Sequence, residues 1–85
     1  MNLDERMMRL IAVGASIAAN CQPCLQSNAA KALESGADEK EIAEAIWIGK
    51  MIRRGAASKM DEFAASLNQA VPLAVSLPNE GCECT

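Results

Sequence analysis

The chain has 85 residues and a formal net charge of −3, and about half of its residues are apolar, with one Trp, one Phe and no Tyr. A chain of this length forms one domain with a small hydrophobic core of its own. The absence of a basic run and of an aromatic platform excludes the usual nucleic-acid-binding surfaces. The sequence contains no His, which excludes Cys–His dyads, Ser–His–Asp triads and every metal site that needs imidazole.

The distribution of charges argues against membrane insertion and export. The longest uncharged stretch, residues 10–30, contains Asn, Gln, Ser and two Cys, so we do not expect it to span a membrane. Charges between Asp4 and Arg9 interrupt the pattern of a secretory leader. We therefore expect a cytoplasmic protein, in which disulfides are transient and a Cys-x-x-Cys pair is catalytic or binds metal.

The first helix is predicted from Leu3 to Ala19, where small and large apolar residues recur at spacings of three and four. Its apolar face is broad, so we expect it to contact two neighbouring helices. Asn2 is the predicted N-cap, and Glu5, three residues later, is the second member of a capping box.

A second helix is predicted from Cys21 to Ser35, with Gly36 as its left-handed cap. It opens on Cys21-Gln22-Pro23-Cys24, and Pro is favoured in a first helical turn. The positive end of the helix dipole and its unpaired N–H groups lower the pKa of a thiol there. The spacing of three brings both sulfurs within bonding reach, although two such cysteines can also be small buried hydrophobes or metal ligands.

A third, long helix is predicted to start after Asp38, with Glu41 completing a capping box. Apolar residues keep a three-and-four spacing to about Asn68, so the helix either runs unbroken or kinks at Gly55. It is apolar on more than one side, which indicates a subunit interface. The alternative is that Trp47 fills the core of the monomer.

Two further clusters leave several interpretations open. Residues 70–85 are expected to be an extended tail, and its Cys82 and Cys84 are either incidental thiols, a dithiol that exchanges with the first pair, or metal ligands. With the first pair they would form a four-sulfur site suited to zinc or iron.

Four basic residues on the third helix form either a solvated face, an interface or a contact to an anionic substrate: Lys50, Arg53, Arg54 and Lys59.

Four segments carry a resemblance to a known superfamily. They read N-C-Q-P-C-L at 20–25, A-A-K-A-L-E-S-G-A at 29–37, E-I-A-E-A at 41–45 and G-K-M-I-R-R-G-A-A-S-K-M-D-E-F at 49–63. In their order and spacing they resemble the alkylhydroperoxidase D/carboxymuconolactone decarboxylase superfamily, in particular its short single-domain members. The resemblance implies an all-α fold that assembles as trimers or hexamers. It also implies thiol-dependent peroxidase (antioxidant, peroxiredoxin-type) or disulfide reductase activity.

The reactive motif of that family is Glu-x11-Cys-x-x-Cys-x-x-x-His. By resemblance, Cys24 is the attacking thiol and Cys21 the resolving one. The His position falls on Asn28 and the Glu position on Arg9, so neither acid–base member is present. Asn cannot titrate and Arg cannot act as a base. Glu5, one turn before Arg9, is the candidate substitute for the missing carboxylate.

These observations predict a small all-α antiparallel bundle of three to four helices spanning residues 1–69, followed by the tail 70–85, that oligomerises through helix faces. The predicted function is a thiol-dependent redox enzyme without a cofactor, acting on a peroxide or a protein disulfide and reduced by a thiol donor. Arg9 and Asn28 are expected to shape the pocket around the two cysteines. The alternatives are a metal-binding or electron-carrier protein with zinc or iron, and a non-catalytic oligomeric scaffold.

Overall fold

The structure is a computed structural model that describes residues 2–70, with side chains to residue 67. It contains three helices: α1 (Glu5–Ala18), α2 (Gln22–Glu34) and α3 (Glu39–Ala70). No strand occurs in this part of the chain, which confirms the predicted all-α class. The predicted tail, with Cys82 and Cys84, lies outside the described residues.

Helix α1 begins two residues later than predicted. The backbone N–H of Met7 donates to Asp4 Oδ1 at 2.8 Å, so Asp4 and not Asn2 is the N-cap. The prediction of Asn2 with Glu5 as a capping box was therefore wrong. An Asp at this position satisfies one of the free N–H groups of the first turn, which leaves the Glu5 side chain available for another partner.

Helices α1 and α2 end in the same way. At each end a residue adopts a positive φ, 57° at Asn20 and 102° at Gly36. The backbone N–H of the next residue then donates to the carbonyl oxygen five positions earlier, as Cys21 does to Ser16 at 3.0 Å. The equivalent bond, also five positions back, closes the end of α2. This is the Schellman arrangement, in which Gly or Asn reverses the chain. It confirms Gly36 as the cap and brings Cys21 directly to the start of α2.

Helix α3 begins with the predicted capping box. The N–H of Glu41 donates to Asp38 Oδ1 at 2.8 Å, and the N–H of Asp38 donates to Glu41 Oε1 at 3.2 Å. The helix then runs for 32 residues and passes through Gly55 without interruption. At 1.5 Å per residue its length is about 48 Å, and its second half extends beyond the other two helices.

Helix α1 lies at the centre of the bundle and packs against both α2 and α3, while α2 and α3 have little direct contact. Among the residues whose side chains are described, the buried apolar core is small and consists of Val13, Ala32, Ala37 and Ala45. The Arg6 guanidinium donates to Glu41 at 2.7 Å and joins α1 to α3 at the edge of this core. The expectation that α1 contacts two neighbours is confirmed.

Many large apolar side chains are exposed in the described chain. Trp47 is 63% exposed and Phe63 is 62% exposed, so the interpretation of Trp47 as a core residue of the monomer was wrong. It fails because Trp47 projects from a side of α3 that neither α1 nor α2 covers. Within residues 2–70, no helix has the length and apolarity needed to cross a membrane.

Helices α1 and α3 approach each other closely where Gly14 faces Gly49. A Cβ on Gly49 would lie 2.8 Å from the Ile17 Cβ and would also overlap the Gly14 carbonyl oxygen. Only Gly permits the two backbones to approach this closely. The pair therefore fixes where along its length α3 crosses α1.

We expect Gly49→Ala to lower the free energy of unfolding by about 1–3 kcal/mol, the usual cost of overpacking. Gly55→Ala is the matched control, because nothing lies within 4 Å of a Cβ at that position. It should raise stability by roughly 0.5–1 kcal/mol through the better helix propensity of Ala. Urea unfolding at one fixed protein concentration measures both, and equal effects of the two variants would contradict the close crossing.

Candidate functional site

The two cysteines of the Cys-x-x-Cys segment are joined as a disulfide, with their Cα atoms 5.3 Å apart. Cys21 is the N-cap of α2, and its Sγ accepts a hydrogen bond from the backbone N–H of Cys24 at 3.3 Å. Pro23 lies in the first turn, where its missing N–H removes no helical hydrogen bond. The predicted pairing at a helix start is thus confirmed.

The surroundings of the two sulfurs differ. Cys21 is half-buried and Cys24 is exposed. The first turn of α2 contains no acidic residue, so no carboxylate of that turn offsets the positive end of the helix dipole. A thiolate formed at Cys21 on reduction would retain the Cys24 N–H as a donor, and an external reactant would meet Cys24 first.

The other predicted site residues form a chain of hydrogen bonds that ends at Cys24. Arg9 Nε donates to Glu5 Oε2 at 2.8 Å, and Arg9 Nη1 donates to Asn28 Oδ1 at 3.1 Å. Asn28 Nδ2 in turn donates to the Cys24 carbonyl oxygen at 2.9 Å. Arg9 and Asn28 are therefore linked to Cys24, whereas Glu5, at the first residue of α1, is connected to it only through both of them. The hydrogen-bonded chain reaches the backbone of Cys24, and no bond in it involves the sulfur.

The side chains in this chain of hydrogen bonds hold one another in position but are not suited to pass a proton along it. The guanidinium of Arg9 stands between the Glu5 carboxylate and Asn28. A guanidinium carries only hydrogen-bond donors and cannot act as a base, and a side-chain amide has no ionisable group. Proton transfer from Glu5 to Cys24 through these two side chains is therefore chemically blocked.

A residue that the sequence interpretation had assigned to a basic helix face also reaches the site. Arg53 Nη1 donates to Asn20 Oδ1 at 3.0 Å and lies 3.4 Å from the Ile17 carbonyl oxygen. It lines a small cavity of about 160 Å³ beside Cys21 and Leu25. In the sequence, Asn20 stands directly before the first cysteine, but no pattern predicts its contact with Arg53, which is 33 positions away.

A larger apolar groove runs along the α1–α3 contact, on the side away from α2. It has a volume of about 560 Å³ and is lined by Met7, Ile11, Ile48 and Ile52 among others. Arg6 and Glu41 lie at its edge. The groove leaves apolar side chains of both helices accessible.

The described residues form no cluster of three or more Cys, His, Asp or Glu side chains that would hold a metal ion. Cys21 and Cys24 are bonded to each other in this structure, and a metal takes deprotonated thiols as ligands. The remaining members of the predicted four-sulfur set, Cys82 and Cys84, lie outside the described residues.

The chain matches a family model described as the carboxymuconolactone decarboxylase family over residues 1–76. The chain belongs to this family. The match covers all three helices and both site cysteines, and it confirms the resemblance carried by the segments between residues 20 and 63. Membership in this family and the paired cysteines are compatible with a redox role.

A curated relative from Paracoccus denitrificans is named "Uncharacterized protein 4 in cox locus". It is 38% identical over 55 residues, which cover 65% of this chain and 50% of that protein. The match thus spans about half the length of this relative. No solved structure gave a significant match.

Two variants separate the capping role of Cys21 from its disulfide. Cys21→Ser and Cys21→Ala both remove the disulfide, but only Ser keeps a side-chain acceptor for the Cys24 N–H. We expect the Ala variant to be less stable than the Ser variant by about 1 kcal/mol. Thermal and urea unfolding of both proteins, with the Cys24 thiol alkylated, measures the difference. Equal stabilities would contradict the N-cap geometry.

Proposed function

We propose that this protein catalyses thiol–disulfide exchange through Cys21 and Cys24. The observation that carries the proposal is a Cys-x-x-Cys disulfide in the first turn of α2, with one half-buried and one exposed cysteine. Exchange needs an accessible sulfur, a stabilised thiolate and a second thiol within reach. The start of α2 offers all three.

In the first step, the Cys24 thiolate of the reduced protein attacks one sulfur of a substrate disulfide. A Cys24–substrate bond forms, the substrate S–S bond breaks, and one substrate thiolate leaves and takes a proton from water. Cys24 is the attacking residue because it is the exposed member of the pair. This assignment agrees with the role that the family motif gives to its second cysteine.

In the second step, the Cys21 thiolate attacks the Cys24 sulfur and releases the second substrate thiolate. The Cys21–Cys24 disulfide forms, so the protein has lost two electrons and the substrate has gained them. At the N-cap, the Cys21 sulfur faces the Cys24 N–H, which stabilises the anion before it attacks. An external thiol donor then reverses these bond changes and regenerates the dithiol.

We favour a disulfide over a peroxide as the oxidised substrate. A thiolate that cleaves an O–O bond benefits from a general acid that protonates the leaving oxygen. Here the positions that would relay a proton are occupied by Arg9 and Asn28, which do not titrate. Thiolates leaving from a disulfide need no such acid, so the exchange reaction suits this set of side chains better.

We also propose that copies of the chain assemble, as the trimers or hexamers implied by the family. All side chains from residue 50 to 67 are exposed in the single chain. The face of α3 that packs on α1 continues past the end of α1 with apolar residues at the same spacing: Ile52, Ala56, Met60, Phe63 and Leu67. The core formed within residues 2–67 has four apolar residues, and burial of this stripe against another copy would enlarge it.

The exchange mechanism predicts which single variant traps substrate. In a Cys82→Ser/Cys84→Ser background, reduced protein should release two equivalents of thionitrobenzoate from one equivalent of its symmetrical disulfide. Cys21→Ser should release one equivalent and retain the other on Cys24, because the resolving thiol is missing. Absorbance and intact-protein mass measure both results.

Cys24→Ser is the matched control, and its remaining half-buried thiol should react more slowly. The proposal fails if the two single variants react at the same rate as a free cysteine peptide. It also fails if peroxide oxidises the reduced protein faster than the disulfide does at equal concentration.

The assembly proposal predicts a particle larger than the 9.0 kDa chain. Phe63→Asp places a charge in the apolar stripe of α3 and should shift the protein towards the monomer. Ser58→Asp is the control, because Ser58 lies on the opposite side of the same exposed segment. Multi-angle light scattering across micromolar concentrations measures both. A wild-type protein that remains at 9.0 kDa would contradict the assembly.

A further inference from the structure

Arg53 is held beside the disulfide by contacts from a different helix. It projects from α3 to the end of α1, where it bonds Asn20, the residue directly before Cys21. Its Nη1 makes this bond and also donates to the Ile17 carbonyl oxygen at 3.4 Å, while a guanidinium has five N–H donors. The remaining donors are available to a ligand in the 160 Å³ cavity that Arg53 and Cys21 line together.

The charge of Arg53 has no partner in the described part of the chain. The ion pairs found there join Arg9 to Glu5, Arg6 to Glu41 and Lys59 to Glu62. The cavity beside Arg53 has no acidic lining residue, and the first turn of α2 has none. The guanidinium and the start of α2 therefore both favour an anion on the Cys21 side of the disulfide.

The spacing of the two cysteines suits a peptide substrate. An extended peptide advances about 3.3–3.6 Å per residue, and the Cα atoms of Cys24 and Cys21 are 5.3 Å apart. If a substrate cysteine bonds Cys24, a residue one or two positions away along the peptide lies over Cys21. Its side chain is then within reach of the cavity that Arg53 lines.

We propose that Arg53 selects peptide or protein substrates with an acidic residue within two positions of the reactive cysteine. This rests on the proposed exchange function and names its substrate class. The acidic side chain pairs with Arg53 while Cys24 attacks the neighbouring sulfur. Arg53 thus determines specificity, whereas the two cysteines carry out the bond changes.

The test uses two short peptides, Ala-Cys-Glu-Ala and Ala-Cys-Gln-Ala, with blocked ends and with the cysteine joined to thiopyridine. Reduced protein in the Cys82→Ser/Cys84→Ser background attacks the peptide sulfur and releases thiopyridone, whose absorbance gives the rate. Cys21 then releases the peptide thiol, so each protein dithiol is oxidised by one mixed disulfide. The measured quantity is the ratio of second-order rate constants, Glu peptide over Gln peptide.

We expect a ratio of about 1.5 to 5 at low salt, as for an exposed ion pair. Arg53→Gln should bring the ratio to about 1, and Arg53→Lys should retain part of it because the charge remains. Arg54→Gln is the matched control, since it removes the neighbouring exposed charge, and it should leave the ratio unchanged. High salt should lower the ratio in the wild-type protein.

An equal ratio in the Arg53→Gln and Arg54→Gln proteins would overturn the proposal, even if both reduce the peptides. A merely structural role of Arg53 would slow both peptides alike and leave the ratio as it is. Failure of the wild-type protein to release thiopyridone from either peptide would instead refute the exchange function itself. The two failures are therefore distinguishable.

The chain itself contains an acidic residue beside cysteines, since Glu83 lies between Cys82 and Cys84. A second arm adds Glu83→Gln in the same background, which keeps all tail thiols absent. If this change raises the rate for the Glu peptide, the Glu83 carboxylate competes for Arg53 and the tail is one source of the ligand. An unchanged rate excludes Glu83 as a competitor and leaves the preference for acidic peptides to be decided by the ratio alone.

Discussion

The close contact of α1 with α3 at Gly14 and Gly49 is the constraint on which the site depends. Because the two backbones meet there, the next turn of α3 lies over the end of α1, and Arg53 reaches the Ile17 carbonyl and Asn20. Asn20 reverses the chain, and its left-handed conformation sets Cys21 at the start of α2. A crossing shifted by one turn, about 5.4 Å, would separate Arg53 from Asn20 and leave the dithiol without its basic neighbour.

The two flanks of the disulfide therefore come from different parts of the bundle and act differently. On the Cys24 side, α1 supplies Arg9, whose charge is already paired with Glu5 and whose contacts end on backbone. On the Cys21 side, α3 supplies Arg53, whose charge has no carboxylate partner in residues 2–67. The first flank adds a hydrogen bond to the first turn of α2, and the second carries the charge on which the proposed preference for acidic peptides rests. The positive charge beside the disulfide is therefore paired with the Glu5 carboxylate on one flank and has no carboxylate partner in residues 2–67 on the other.

The features that sequence reasoning predicted correctly are local ones. Gly36 and the Asp38–Glu41 capping box were predictable because each is decided by backbone groups within a few residues. The cap of α1 was misplaced because Asn2 and Asp4 are both good N-caps, and only the packing of the first turn chooses between them. Arg9 and Asn28 were assigned to the site because they occupy the Glu and His positions of the family motif. The position of Arg53 at the site was not predictable, because its partner lies 33 residues away in the sequence and the contact depends on where α1 and α3 cross.

The disulfide closes a loop of only four residues within one helical turn. In the chain-entropy description, such a short loop restricts the unfolded chain by about 2 kcal/mol, against about 4.7 for a loop of 100 residues. The hydrogen bonds that end α1 and continue α2 run through backbone groups and involve neither sulfur. About 2 kcal/mol is a sizeable part of the stability of a small domain, so the closed bond makes the bundle more stable. In the proposed exchange, the backbone hydrogen bonds of the turn and the Gly14–Gly49 contact would hold the helices together while the bond is open.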